Sequence, residues 1–148
     1  MHKLSVIILS YAIDNDVYEM NCRCIESLLA SEEWKDGELE VLLMESNKEN
    51  PYTYGSDVRV IIPDEAFNFH RFLNIGVDKS DGEFVALCNN DIVFERGWFS
   101  AIMKVKMCHP KFMCFSPLDR SYPLMGEDTL PSSKDYYIGW ENKKHFAA

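Results

Sequence analysis

The sequence has little positive charge and no long apolar run, and each shortage excludes a class of protein. Its 148 residues carry 15 Lys and Arg against 24 Asp and Glu, which gives a formal charge of −9. Because nucleic-acid binding relies on many basic contacts to phosphate, this balance argues against a nucleic acid as the main partner. No apolar run reaches the roughly 18 residues of a membrane-spanning helix, so we expect no transmembrane segment.

The cysteines are odd in number and lack the spacing of a metal or redox site. Cys22 and Cys24 are separated by one residue, which fits neither a zinc knuckle nor a redox pair. We therefore expect buried, free thiols in a reducing compartment. The apolar run at residues 4–9 is short and no small-residue cleavage site follows it, so it is interpreted as a strand rather than a signal peptide. A cytoplasmic location is expected.

Several common site motifs are also missing. The sequence has no Gly-x-Gly-x-x-Gly after the first apolar run and no Gly-Lys-Ser/Thr, which argues against a dinucleotide site and a P-loop. It has no Gly-x-Ser-x-Gly, the nucleophile elbow of many hydrolases. No two of its histidines have the spacing of metal ligands.

What the sequence does contain is an alternation of apolar strands and amphipathic helices. Apolar runs predict strands at residues 4–9, 41–44, 58–62, 84–88 and 112–115. Apolar side chains at helical spacing predict helices around residues 17–29, 69–77 and 98–105. This alternation predicts an α/β fold, a three-layer sandwich with a mostly parallel, Rossmann-like central sheet.

Three polar clusters follow predicted strands: Ser10-Tyr11, Glu45-Ser46-Asn47 and Asn89-Asn90-Asp91. Because ligands of such sheets bind at the carboxyl ends of the strands, we expect these clusters to be neighbours in one site. A lone carboxylate there can give one oxygen to Mg²⁺ or Mn²⁺, which takes its other ligands from substrate phosphates and water. The alternative is a turn in which Asn and Asp side chains bond their own backbone.

These segments also carry a family resemblance. Residues 4–11, 24–29 and 40–47, then Asn74-Ile75-Gly76, lead in order to residues 79–91, which end in Asn89-Asn90-Asp91. This series resembles the nucleotide-sugar-binding half of a family 2 glycosyltransferase with the GT-A fold, and Asn-Asn-Asp resembles a variant of its Asp-x-Asp motif. The resemblance covers residues 3–118. We assign residues 1–118 to a nucleotide-sugar-binding core and residues 119–148 to a partial acceptor-side or C-terminal segment of the same domain.

The resemblance implies roles for individual residues. Asp91 takes the metal-binding place of the motif, and Glu127 or Asp128 resembles the family's late acidic motif, which holds the catalytic base. Glu45 could instead be a loop carboxylate or a cap, and Arg71 could be a surface charge. The nucleotide-binding positions implied by the resemblance are Ser10, Tyr11, Glu45, Arg71, Asn74, Asn89 and Asn90.

The activity implied is metal-dependent transfer of a sugar, with inversion, from a nucleotide-diphosphate donor to a glycan or other hydroxyl acceptor. Mn²⁺ or Mg²⁺ is the implied cofactor. One alternative is a non-catalytic or truncated nucleotide-sugar-binding domain that needs another domain or chain for transfer. Another is a related nucleotidyltransferase, although the Gly-rich basic loop of that class is missing after the first strand. An uncovered sheet edge would be a reason to form a homo-oligomer.

Overall fold

The structure, a computed structural model, describes residues 2–115 and confirms the α/β prediction. In this part of the chain the elements are β1 (Leu4–Ser10), α1 (Asn15–Ala30), β2 (Leu39–Glu45), β3 (Val58–Ile61), α2 (Phe69–Lys79), β4 (Phe84–Cys88) and α3 (Trp98–Cys108). The strands form one sheet in the order β3-β2-β1-β4. Each pair of neighbouring strands is parallel.

Helices α1 and α2 each begin directly after a residue whose side chain caps the helix N-terminus. The carboxylate of Asp14 accepts a hydrogen bond from the backbone N–H of Val17 at 3.0 Å, and α1 begins at the next residue. The amide oxygen of Asn68 accepts from the N–H of Arg71 at 2.9 Å, just before α2. Each cap satisfies a helix N–H that has no partner within the helix.

Strand β1 is the centre of the sheet and is covered on both faces. All seven of its residues are buried. On one face, Ile7 lies so close to Gly76 of α2 that an added Cβ would stand 2.6 Å from the Ile7 side chain. On the other face, Ser10 accepts a hydrogen bond from Asn21 of α1 at 2.7 Å. Because successive strand residues point to opposite faces, the two helices lie on opposite sides of the sheet, as the predicted three layers require.

The strand order places a topological switch beside β1. The chain passes from β1 outward to β2 and β3, then returns to add β4 on the other side of β1. In open parallel sheets the connections then leave in opposite directions, and a crevice opens at the carboxyl ends of the two strands that flank the switch, here β1 and β4. This topology makes the segments after β1, β2 and β4 neighbours, as the sequence predicted.

The predicted fifth strand is wrong, because residues 112–115 follow a turn and form no strand. The Phe112 N–H donates to the carbonyl of His109 at 3.0 Å. The Lys106 ammonium donates to the carbonyls of Pro110 and Phe112 at 2.7 and 2.8 Å. The N–H and carbonyl of Phe112, which a strand would use to pair with its neighbour, therefore form hydrogen bonds within this segment.

The described residues divide into two units after Trp98. The sheet, α1 and α2 all belong to the first unit. The predicted limits of residues 1–118 and 119–148 remain a prediction. Over residues 2–115, no helix has the length and apolar character needed to cross a bilayer.

A second polar cluster lies at the amino edge of the sheet, at the opposite end of the strands from the switch. The Glu40 carboxylate accepts hydrogen bonds from the Ser5 hydroxyl at 2.5 Å and from the Asp81 N–H at 3.1 Å. The Asp81 carboxylate in turn contacts the imidazole Nδ1 of His2 and accepts from the His2 backbone N–H at 3.2 Å. These bonds connect the beginnings of β1 and β2 to the turn before β4.

The contact with His2 has a consequence for stability at acid pH. Hydrogen bonds from the His2 side chain and backbone hold the pKa of Asp81 below its ordinary value of 3.8. A carboxylate whose pKa is lowered in the folded state adds stability above its unfolded pKa, and that stability is lost as the pH falls through the folded pKa. We expect wild type to be more stable than Asp81→Asn from pH 5 to 7, and the difference to shrink below about pH 4. Urea unfolding of both proteins between pH 3 and 7 measures this, and a difference independent of pH would contradict it.

Candidate functional site

The carboxyl end of β2 carries a carboxylate that is fully buried. Glu45 lies beside Ser10 in the sheet register and is 0% exposed. Its two oxygens accept hydrogen bonds from the Ser10 hydroxyl at 2.7 Å, from the Ala12 N–H at 3.2 and 3.4 Å, and from the Asn47 N–H at 2.7 Å. A carboxylate can accept about four hydrogen bonds, so these four contacts occupy its acceptor sites.

A directed chain of hydrogen bonds connects this carboxylate to the motif after β4. The Asn90 amide donates to the Asn21 amide oxygen at 2.8 Å, and the Asn21 amide donates to the Ser10 hydroxyl at 2.7 Å. Ser10 then donates to Glu45. The chain crosses the switch point from β4 to β2 and includes α1. Such a network fixes the positions of its members when every group has a partner.

An open groove lies beside this network, at the ends of β1 and β2. Its volume is about 880 Å³. Its walls come from the segment after β1 and from the first half of the β2–β3 loop; the lining residues are Tyr11, Ile13, Ser46, Asn47, Lys48, Glu49, Asn50, Pro51 and Tyr52. Two of them, Tyr11 and Ile13, are 59% and 60% exposed. Most of the other lining residues are polar, so the groove offers aromatic rings beside hydrogen-bonding groups, a combination that suits a flat polar ligand.

The loop that forms one wall of the groove is fixed by its own polar contacts. The Asn47 amide oxygen accepts from the N–H groups of Glu49 and Asn50, and its NH₂ group donates to the carbonyl of Ala12 at 2.7 Å. The Ser46 hydroxyl donates to the carbonyl of Ser10 at 2.6 Å. Ser46 and Asn47 thus attach the groove to the end of β1.

The Asn89-Asn90-Asp91 motif follows β4 on the other side of β1. Asn90 is half-buried because it joins the hydrogen-bond chain, while Asn89 and Asp91 are exposed. The carbonyl of Asn89 lies 3.9 Å from the thiol of Cys24 on α1. Asp91 therefore presents a solvent-accessible carboxylate at the same edge of the sheet as the groove.

The two other predicted nucleotide-binding residues lie on α2. Arg71, in the first turn, forms a bidentate ion pair with Glu65, with both N–O distances 2.7 Å. This exposed pair lowers the pKa of Glu65 and raises that of Arg71, mainly through the hydrogen bonds between them. Asn74 lies one turn further on and is half-buried. The predicted base, Glu127 or Asp128, lies outside the described residues.

The cysteines behave as free thiols, as predicted, although not all are buried. Cys24 is buried, Cys22, Cys88 and Cys114 are half-buried, and Cys108 is exposed. Burial raises the pKa of Cys24 to about 11 and that of Cys88 to about 12. Both thiols beside the site are therefore protonated at neutral pH and are not nucleophiles.

Sequence reasoning missed four residues that build the site: Asn21, Tyr18, Tyr52 and Tyr54. Asn21 had a detectable signal, since it lies on the helix face that also carries Val17, Cys24 and Leu28. A polar residue at a buried helical position is costly unless it is hydrogen-bonded, so it suggests a partner. Tyr52 and Tyr54 had no comparable signal, because they belong to a loop whose path cannot be read from periodicity. Tyr18 lies on α1, but its partner Tyr52 belongs to that loop.

No family model and no curated protein matches the sequence. Among solved structures, the fold is similar to that of S. aureus TarS 1–349, a glycosyltransferase, with a TM-score of 0.58 and 16% identity. The match covers 80% of this chain and 39% of that chain, so this chain spans less than half the length of its neighbour. The likeness shows that the chain has a Rossmann-like, glycosyltransferase-like α/β fold.

Proposed function

We propose that the chain is the donor-binding part of a glycosyltransferase that moves a sugar from a nucleoside diphosphate to an acceptor hydroxyl. The observation that carries this proposal is the position of the groove and of the exposed Asp91. They flank the end of β1 on its two sides. With strands about 4.8 Å apart, the ends of β2 and β4 are separated by about 10 Å. A nucleoside diphosphate has the length to reach from one to the other, with its base in the groove and its phosphates near Asp91.

The donor's base has an aromatic surface available in the groove. Tyr11, more than half exposed, can stack on a planar base, and stacking tolerates any base because each has a π face. Ser10 and Glu45 hold Tyr11 in this position. The hydrogen bonds that Glu45 accepts from the Ser10 hydroxyl and the Ala12 N–H fix the segment that carries Tyr11. The resemblance places Glu45 among the nucleotide-binding residues. Because Glu45 is fully buried and accepts hydrogen bonds from Ser10, Ala12 and Asn47, the role we propose for it is to hold the groove in shape.

The residues after β4 fit a divalent metal. Asp91 offers one exposed carboxylate, the kind of oxygen ligand that Mg²⁺ and Mn²⁺ prefer, while the resemblance places Asn89 among the nucleotide-binding residues. These ions commonly use one or two carboxylates and take the remaining ligands from substrate phosphates and water. When bound, the metal would neutralise the diphosphate and stabilise the leaving group. Attack by the acceptor hydroxyl, with inversion, would need a carboxylate base, for which Glu127 and Asp128 remain the candidates.

A ligand panel tests donor binding directly. The thermal midpoint of the chain is measured with UDP, GDP, dTDP and CMP, each in the presence of Mn²⁺ or of EDTA. A ligand at a hundred times its Kd stabilises the protein by about 2.7 kcal/mol. For a domain of this size the midpoint then rises by several degrees. We expect one nucleoside diphosphate to produce such a shift with Mn²⁺ and a much smaller one with EDTA.

Two variants identify the metal ligand. Asp91→Ala is expected to abolish the Mn²⁺-dependent part of the shift. Asp36→Ala, which removes an exposed aspartate of the loop before β2, is expected to keep it. If no nucleotide shifts the midpoint of the wild-type chain, or if Asp91→Ala responds like wild type, the proposal as stated is wrong.

A second candidate function is donor binding without transfer. It is favoured by the groove and the exposed Asp91, which serve donor binding and leave the transfer step without an assigned group among the described residues. Binding of a nucleotide sugar with neither transfer to an acceptor nor hydrolysis would support it. Release of pyrophosphate from a nucleoside triphosphate and a sugar phosphate would instead indicate a nucleotidyltransferase.

A further inference from the structure

The β2–β3 loop carries two tyrosines that pack against a third on α1. The rings of Tyr18 and Tyr52 are stacked, with centroids 4.6 Å apart and planes 20° from parallel. The ring of Tyr54 lies 5.4 Å from that of Tyr18 in a tilted arrangement. The Tyr54 hydroxyl also accepts a hydrogen bond from the Asn21 amide at 2.7 Å, so this tyrosine is tied to the hydrogen-bond chain of the site.

The beginning of the loop is also attached to the rest of the fold. The Lys48 ammonium donates to the backbone carbonyls of Asp64 and Glu65 at 2.6 and 2.9 Å. The loop is therefore attached to α1 on one side and to the segment before α2 on the other. Lys48 and Tyr52 both line the groove. The groove wall between them is preorganised by contacts that involve no ligand.

One face of the Tyr52 ring is covered by another aromatic ring, and another part of the side chain lines the groove. Tyr18 covers one face by stacking, so the part of Tyr52 that lines the groove is the opposite face or its edge. Tyr11 lines the same groove from the segment after β1. Two aromatic side chains from two different segments thus border a space open to a flat ligand.

We propose that Tyr52, backed by Tyr18, is a second stacking surface for the nucleobase of the donor, in addition to Tyr11. This inference rests on the proposed function, since it assumes that a nucleotide occupies the groove. Tyr52 contacts the ligand, and Tyr18 acts through Tyr52 as a positioning residue. Aromatic stacking on a base predicts that Tyr52→Ala raises the Kd of the nucleotide by about 5- to 150-fold. Tyr18→Ala has a smaller effect in the same direction.

The conservative variants separate stacking from hydrogen bonding. Tyr52→Phe and Tyr18→Phe keep the two rings and remove only the hydroxyl groups, so both are expected to bind the nucleotide within about twofold of wild type. Tyr52→Leu keeps apolar bulk but has no flat ring, and is expected to behave like Tyr52→Ala. A loss of nucleotide affinity in Tyr52→Phe as large as that in Tyr52→Ala would point to the hydroxyl group and overturn the stacking role.

Titration calorimetry with two probes tests the inference. The first probe is whichever of UDP, GDP, dTDP or CMP binds wild type best in the presence of Mn²⁺. The second is inorganic pyrophosphate with Mn²⁺, which has charge but no base. Tyr52→Ala should weaken binding of the nucleotide and leave the Kd for pyrophosphate unchanged, which also shows that the variant is folded and its metal end intact.

The outcomes distinguish this inference from the proposed function. If wild type binds none of the four nucleotides, both fail together. If wild type binds a nucleotide and Tyr52→Ala binds it with the same Kd, the inference alone fails. Equal weakening toward nucleotide and pyrophosphate would show that Tyr52 only supports the fold of the loop, and would also overturn it.

Discussion

Glu45→Ala is expected to destabilise the protein by about 3–5 kcal/mol, one of the two largest effects of a single substitution that we predict. The substitution removes the acceptor of three donors inside the protein: the Ser10 hydroxyl and the N–H groups of Ala12 and Asn47. Each buried donor left without a partner costs about 1–3 kcal/mol. Urea unfolding monitored by circular dichroism measures the loss of stability.

Glu45→Gln gives a graded test of the same idea. It preserves size but replaces one accepting oxygen with an NH₂ group, which must face donors, so we expect a loss of about 1–3 kcal/mol. The control is Glu26→Ala, on the exposed side of α1, which should change stability by no more than about 0.5 kcal/mol. A Glu45→Ala protein as stable as the control would show that the carboxylate is not needed to hold the site.

Gly82→Ala is expected to destabilise the chain by about 2–3 kcal/mol at the amino edge of the sheet. A Cβ at this position would lie 2.5 Å from the backbone nitrogen and the hydroxyl oxygen of Ser5, and 2.8 Å from the carbonyl oxygen of Phe84. Two of these atoms are backbone and belong to β1 and β4, so relief of the clash requires the strands to move. The movement would also lengthen the hydrogen bond from the Gly82 N–H to Ser5, now 2.9 Å.

Gly55 provides the matched control, since it is another loop glycine with different surroundings. A Cβ there meets no atom within 4 Å, and its φ is not positive. Gly55→Ala should therefore be neutral or stabilise the protein by about 0.4–1 kcal/mol, because it reduces the freedom of the unfolded chain. The free energies of unfolding of Gly82→Ala and Gly55→Ala, measured side by side, test this prediction. Equal values would show that the strands at Ser5 can move with no loss of stability.

The main elements of the sheet could be predicted because their signals are local. Residues 4–9 form an apolar run interrupted only by Ser5 and too short for a helix, and they lie within β1. Asp14 and the apolar stripe that follows it mark the beginning of α1. Residues 112–115 show the limit of this reasoning. They are as apolar as a strand, but a strand also needs a neighbour, and the Lys106 ammonium binds the Phe112 carbonyl instead.

The location of the site could be predicted from the sequence, but the contacts that build it were harder to predict. Parallel strands bring their carboxyl ends together, so Ser10, Glu45 and Asn90 could be placed in one region from sequence. The hydrogen-bond chain through Asn21 could not be foreseen, since it depends on which turn of α1 lies over the end of β1. The stacking of Tyr52 on Tyr18 depends in the same way on the path of a loop.

The attachment of the β2–β3 loop at both ends bears on the thermodynamics of recognition. A mobile loop that closes over its ligand loses conformational entropy at the moment of binding, and affinity falls accordingly. Here the contacts of Lys48, Tyr52 and Tyr54 order the loop in the absence of a ligand. The entropy loss is therefore part of the free energy of folding and not of binding. Ligand affinity in this groove then depends on how well the ligand's shape fits walls that are already in place.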